Sequence, residues 1–461
     1  MRVLQRLKMR WLPLAAVWAA IAAGGCNAPR EHLAAFNRQF ETGQWASASS
    51  FAHRIINKSE TPKGDDLLWA LQLGATERMQ GRYAESTAWF DKAEEMMQYY
   101  ATDPAAIARS VAAAVVNDNV IPYTGSIYDG IMVNTYKALN YMCEENAELA
   151  RVEFNRAMDR QRRAKEDFAK QIQAVRDELD KNQHSTLARR STENADLRSR
   201  LEQKYSSLYS FEAYSDFISP FSTYLAGVFF AATDDYAKAS DLLKESAGML
   251  PDNHAVLEDF AEVEQALNTG LSLPPTVWVF FENGLGPVKE EVRLDLPLFV
   301  VTNNVRYFGI ALPMLVFRPA ATAYLDLRAQ GQSYQTEPVA DMDRIIQTEF
   351  KNEFDGIVLR AVLSATAKAA AQYSLERNKS EAAAILMALY SYATTAADVR
   401  IWSALPKNVQ AARLPRPADG RLILAAGQTP MTVQLPDCRH AIVYVKMVSS
   451  VTNPTIELIT F

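Results

Sequence analysis

Apolar residues recur at helical spacing from about residue 32 to Asn268, and the pattern changes at Leu273-Pro274-Pro275. The first stretch predicts amphipathic helices, each with an apolar stripe repeating every 3.6 residues. Beyond it, Thr276–Phe281 is β-branched and aromatic, while Val288–Leu296 and Thr322–Leu327 alternate polar with apolar positions, as strands do. Asp341–Arg377 and Ser380–Ala396 return to helical spacing, the first periodic in Ile345, Phe350, Phe354 and Leu363. Strands resume from Val409, over Arg421–Ala425, Met431–Leu435, Ala441–Val448 and Thr455–Phe461. The chain therefore reads as mainly α: a helical domain over residues 32–270, then a smaller α+β domain over 275–461. Its 461 residues exceed what one hydrophobic core commonly serves.

The helical part repeats itself. Leu73-Gly74, Gly81-Arg82-Tyr83, Ser86, Phe90 and Ala93 form one set; Gly227, Tyr236, Ala239, Leu243 and Pro251 form another. Fainter copies are Gly43-Gln44-Trp45 with Ala48 and Phe51, and Ala138 with Ala150, Phe154 and Ala157. Each set resembles the tetratricopeptide pattern, in which a small residue on one helix sits where the next helix crosses it. Four sets in one region predict a TPR-like α-solenoid.

Between the third and fourth sets, residues 159–204 are dominated by charged and amide side chains, with Phe168, Ile172, Val175 and Leu179 as a narrow seam. With Asn182-Gln183-His184-Ser185 as the break, the stretch reads as a protruding helical hairpin, disorder being the other reading.

The first 25 residues read as a targeting signal. Arg2, Arg6, Lys8 and Arg10 precede an apolar run from Trp11 to Ala23, which is too short to span a bilayer comfortably. Ala23-Gly24-Gly25-Cys26 then resembles a lipobox, with residues 1–25 as signal peptide, Cys26 as the lipidated residue and 26–31 as a linker. An ordinary secretory signal, with Cys26 incidental, or a short signal anchor is the alternative. Asn27 stands where an inner-membrane retention signal places Asp, which points to the outer membrane. Several acyl chains on one residue hold firmly, because each buried methylene contributes about 0.8 kcal/mol.

Loss of residues 1–25 removes four positive charges and no negative one, taking the formal net charge from −6 to −10. That charge disfavours nucleic acid as the main ligand. With Cys26 acylated, only the Cys143 and Cys438 thiols remain, far apart in sequence, and their pairing is open.

A dispersed set of residues carries a wider resemblance: Asn117-Asp118, Tyr123, Gly125, Tyr128, Asn134, Tyr136, Leu139-Asn140-Tyr141, Ala150-Arg151-Val152-Glu153 and Asn155-Arg156, then Phe280-Phe281-Glu282-Asn283-Gly284, Lys289-Glu290-Glu291, Ala397-Asp398-Val399-Arg400, Trp402, Leu405-Pro406 and Arg413. With these the chain resembles an uncharacterised family of tetratricopeptide-containing lipoproteins of diderm bacteria. The resemblance implies a helical region ahead of a β-containing part, and an association with envelope lipoproteins that regulate peptidoglycan synthases. It implies no activity.

No catalytic framework emerges from the residues. The five histidines are scattered, and there is no Cys-x-x-Cys, P-loop, dinucleotide fingerprint or Gly-x-Ser-x-Gly elbow, so no metal and no cofactor is predicted. The polar set Asn117, Asp118, Asn134, Asn140, Arg151, Glu153, Asn155 and Arg156 is the site candidate, as a network fixing helix register or as a peptide- or glycan-binding groove. Asp398, Arg400 and Trp402 read as a corner pinning helices to sheet, with an exposed aromatic contact as the competing idea. The leading functional expectation is a non-enzymatic, outer-membrane-tethered periplasmic adapter that binds envelope proteins through the TPR-like surface. A peptidoglycan-acting enzyme or glycan-binding protein is the alternative.

Overall fold

The computed structural model describes residues 30–57, 63–102, 122–182, 184–210, 219–295, 309–377, 394–427 and 429–461, with 387 and 391. The segment read as a signal, Cys26, Asn117, Asp118 and most of the helix expected over Ser380–Ala396 lie outside the described residues.

Helices follow one another in pairs: α1 (30–41) with α2 (Trp45–Ile55), α3 (Asp66–Met79) with α4 (Tyr83–Thr102), and α5 (Ile127–Cys143) with α6 (Ala147–Asp180). Three short helices come next, α7 (Ser185–Thr192), α8 (Ala195–Lys204) and α9 (Ser206–Ser210). The series ends with α10 (Pro220–Ala232), α11 (Tyr236–Met249) and α12 (His254–Thr269). Side-chain oxygens mark the starts: Asn146 accepts from Leu149 N, Asp235 from Lys238 N and Asn253 from Val256 N. α12 stops at Gly270, whose left-handed φ of 72° closes the last turn. Small residues set the pair spacing. A Cβ on Gly74 would run into the Phe90 ring, and one on Gly227 would stand 2.9 Å from Leu243.

The strands form three groups. A five-stranded sheet has the order β11 (Thr455–Thr460), β10 (Ala441–Met447), β1 (Thr276–Asn283), β7 (Asn408–Pro415), β6 (Glu337–Asp341). β1 and β10 run parallel, and the other neighbours are antiparallel. A four-stranded sheet has the order β5 (Gln332–Gln335), β4 (Asp326–Ala329), β8 (Arg421–Ala426), β9 (Thr429–Gln434). β2 (Val288–Asp295) and β3 (Gly309–Val316) make a separate ribbon beside the long helix α13 (Met342–Arg377).

β1 is buried along its whole length because both faces are covered. Successive side chains point to opposite faces. Trp278 and Phe280 enter the core shared with the helices, while Val277, Val279 and Phe281 enter the core between the two sheets. The architecture is a layer of helices, a mixed sheet and a second sheet. Every residue of α3 and of α10 is buried, since these helices lie between their partner helices and the five-stranded sheet. The Tyr224 ring lies tilted 5.4 Å from Phe280, and Phe229 meets Phe461 at 6.2 Å. Helix gives way to strand between residues 270 and 275, yet the core runs on across that boundary.

The charged stretch differs from the expected hairpin. Its outgoing arm belongs to the single helix α6, but the return arm breaks into α7, α8 and α9. Ala188, Leu197, Leu201, Tyr205 and Leu208 are buried in one cluster with Phe354, Val358 and Val362 of α13. Tyr205 lies 4.5 Å from the Phe354 ring. These apolar residues need cover, so the return arm lies on the C-terminal part instead of projecting into solvent.

The strand read over Thr322–Leu327 begins only at Asp326, because the preceding residues serve a turn. Asn283 Nδ2 donates to Thr322 O (2.8 Å), its Oδ1 accepts from Ala321 N (2.9 Å), and Gly284 has φ +67°. A Cβ on Gly284 would stand 2.9 Å from Pro319 O, so only glycine fits that approach.

Candidate functional site

The polar set singled out in the sequence divides into two buried networks and a surface pair. In the first, Lys137 of α5 is fully buried, with Nζ 2.8 Å from Asp91, 2.7 Å from Glu94 and 3.1 Å from Glu153. Asn134 joins them, donating to Glu94 (3.0 Å) and Glu153 (2.7 Å) and accepting from Arg160 (2.7 Å). Arg156 completes the set on Glu153 at 2.8 Å. Burial by itself would raise the Glu94 carboxyl, but the Lys137 ammonium, Asn134 and Arg160 hold it down at about 2. Helical spacing brings this network together, since Asn134 and Lys137 are three apart on one helix face and Glu153 and Arg156 three apart on the next.

The second network ties the helices to the sheet. Asn140 accepts from Arg78 Nη1 at 2.6 Å and donates to Ser86 and Thr87 at 2.9 and 3.1 Å. Arg78 is buried, pairs with Glu457 of β11, and lies over the rings of Tyr136 (5.8 Å) and Tyr444 (5.4 Å). Glu282 of β1 accepts from Tyr444 (2.6 Å) and pairs with Lys446 (2.8 Å), both on β10. Cys143 stands at the edge of this network, where burial pushes its thiol up to about 12. Cys143 and Cys438 are both free thiols.

Arg151 belongs to neither network. It pairs with Asp235 at 2.6 Å and lies over Phe230 at 5.0 Å, while Asn155 is partly exposed.

At the corner after α13, Arg400 is buried and grips Asp398 with two bonds (2.8 and 2.7 Å) and Asp65 with a third (2.7 Å). Burial opposes the Asp398 charge, but the Arg400 guanidinium holds that carboxyl below the usual range. Trp402 is fully buried, edge-on to Phe90 (5.8 Å) and Tyr136 (5.9 Å), with no acceptor for its Nε1. Next to it, Gln72 Nε2 donates to Ser403 Oγ at 2.8 Å, another helix-to-corner tie.

A third cluster escapes sequence reading. Asp129, at the start of α5, lies beside Glu349 and Glu353 of α13, which are over two hundred residues away. No local signal joins positions so distant.

In both networks the buried cations are paired with protein carboxylates, an arrangement that fixes register and docking. Among the described residues, no group of three or more His, Cys, Asp or Glu is disposed to hold a metal ion, and no helix is long and apolar enough to cross a membrane. Leu149 and Val152 on α6, and Leu257 and Leu267 on α12, are among the exposed large apolar residues. Comparisons with protein-family models, with curated proteins and with solved structures find no match to this chain.

Proposed function

We propose that the chain is an outer-membrane-tethered, periplasm-facing lipoprotein, acylated on Cys26, whose TPR-like helix array is a non-enzymatic scaffold for envelope proteins. One observation carries the scaffold reading. Gly74 with Phe90, Ala138 with Phe154 and Gly227 with Leu243 recur at one spacing in three helix pairs, all buried or directly apposed, as suits a repeat array. The inner helices of these pairs face the chain's own sheet, so partners meet the outer helices.

The anchor is close to the folded part. Arg30 opens α1 and pairs with Glu291 of β2, so the chain between Cys26 and α1 reaches at most about 14 Å. In this reading α1 and β2 lie toward the membrane.

Crosslinking in cells followed by mass spectrometry tests the scaffold. Envelope proteins joined to α4, α6 or α12 are expected, and recovery of none above background overturns it. Release of soluble muropeptides from sacculi by the pure protein would replace the scaffold with a wall-acting enzyme. Cys26→Ala is expected to leave a soluble or uncleaved precursor, and a variant still processed into the outer-membrane fraction ends the lipoprotein reading.

A further inference from the structure

Two carboxyl groups from distant parts of the chain meet at the N-terminus of α5. Asp129 Oδ2 accepts from Ser126 N (2.9 Å) and from Tyr123 OH (2.7 Å). Glu349 reaches across from α13, and its Oε1 accepts from Ile127 N at 2.9 Å. The unpaired N–H groups and positive dipole end of the helix explain why carboxyl groups gather there. Each is satisfied only by half. Asp129 is fully buried and Glu349 is 4% exposed, and Asp129 Oδ1 and Glu349 Oε2 are both buried without a hydrogen-bond partner.

A buried carboxylate oxygen with no donor is costly, whereas a carboxyl that keeps its proton supplies one. We propose that Glu349 and Asp129 share one proton, and that the joint between α13 and α5 loosens when this proton leaves.

The surrounding charges agree. Glu353 is one turn along α13 from Glu349, and Lys289 of β2, with Nζ 5.7 Å from the Phe350 ring, and Arg360 of α13 act on it. Asp398 also faces the cluster, but Arg400 already grips it together with Asp65. Tyr123 and Tyr128 add phenol groups whose ionisation burial suppresses. Three carboxyls thus face two cations, and one proton brings that set to neutrality. Burial raises Glu349 well above the ordinary carboxylate value, and the charges of Glu353 and Asp129 add to it; burial likewise raises Asp129. A carboxyl raised in the folded state stabilises the fold fully at pH below its ordinary value, and that contribution is lost as pH rises toward its folded value.

The joint matters because α13 carries the cluster that seats α7, α8 and the β2–β3 ribbon. Amide exchange of the full chain between pH 5 and 8, corrected for its intrinsic pH dependence, tests the inference. One linked proton predicts that protection over residues 126–133 and 342–353 falls about tenfold per pH unit, while the four-stranded sheet stays level. Glu349→Gln, whose amide donates to Asp129 without a proton, is expected to abolish the slope, as is Asp129→Asn. A flat wild-type profile overturns the inference, and so does a slope that survives in both variants. Should neither variant fold, the wild-type slope alone decides.

Discussion

Glu282 and Lys446 face each other across the parallel strands β1 and β10, with their charged atoms 2.8 Å apart and both side chains buried. Tyr444 donates to the same carboxylate at 2.6 Å, which fixes its orientation. The pair lies under α5, whose Tyr136 ring is 5.4 Å from Lys446 Nζ.

Removing one member of such a pair leaves the other charge buried alone. Lys446→Met is expected to destabilise the chain by about 3–5 kcal/mol, and the double change with Glu282→Gln to cost less than Lys446→Met by itself. Denaturant unfolding of the three proteins checks this. A double variant whose loss equals the sum of the two single losses would mean that the charges are not coupled.

Two helical glycines should respond oppositely to alanine. At Gly74 the new methyl group meets the Phe90 ring, so Gly74→Ala should cost about 1–3 kcal/mol by overpacking. At Gly356 in α13 nothing lies within 4 Å, so alanine there should stabilise by about 0.5–1 kcal/mol. Melting temperatures shifting in opposite directions would bear out both, and a tolerated Gly74→Ala would refute the close crossing of α3 and α4.

Trp402→Ala is expected to cost about 3–5 kcal/mol, the range for deleting a large buried aromatic side chain. Trp402→Phe should cost less, because it keeps ring contacts and removes a donor that has no acceptor. Thermal denaturation separates these outcomes, and an unchanged melting temperature for the alanine variant would contradict a buried corner.

His440 supplies a pH dependence of known sign. Its Nδ1 accepts from Thr276 N at 3.3 Å, and burial, helped by the Arg439 charge, lowers the imidazole to about 4. A depressed base contributes stability that is complete above its ordinary value near 6.5 and is lost as pH falls toward 4. NMR of labelled histidines should find His440 still neutral at about pH 5. A His440 signal titrating near 6.5 would rule out the buried neutral ring.

Much of the local structure was legible in the residues themselves. The apolar period of 3.6 marks α2, α6, α11 and α12, Asn146, Asp235 and Asn253 stand where helices start, and the β-branched and aromatic run at Thr276–Phe281 marks a strand. Asn134 with Lys137 and Glu153 with Arg156 were also accessible, because helix spacing brings residues three and four apart onto one face. β3 was not, since Gly309–Val316 is apolar without alternation and gives no period to read.

Tertiary structure alone decided which surfaces meet. An apolar stripe says that a face needs cover but does not name the cover, because burial is non-directional. So the seating of α3, α5 and α10 on the five-stranded sheet could not be read from their stripes. Nor could the packing of the return arm on α13, the pairing of Arg78 with Glu457, or the meeting of Glu349 with Asp129. Local periodicity determined the elements, and complementary shape and charge between residues hundreds of positions apart determined how they dock.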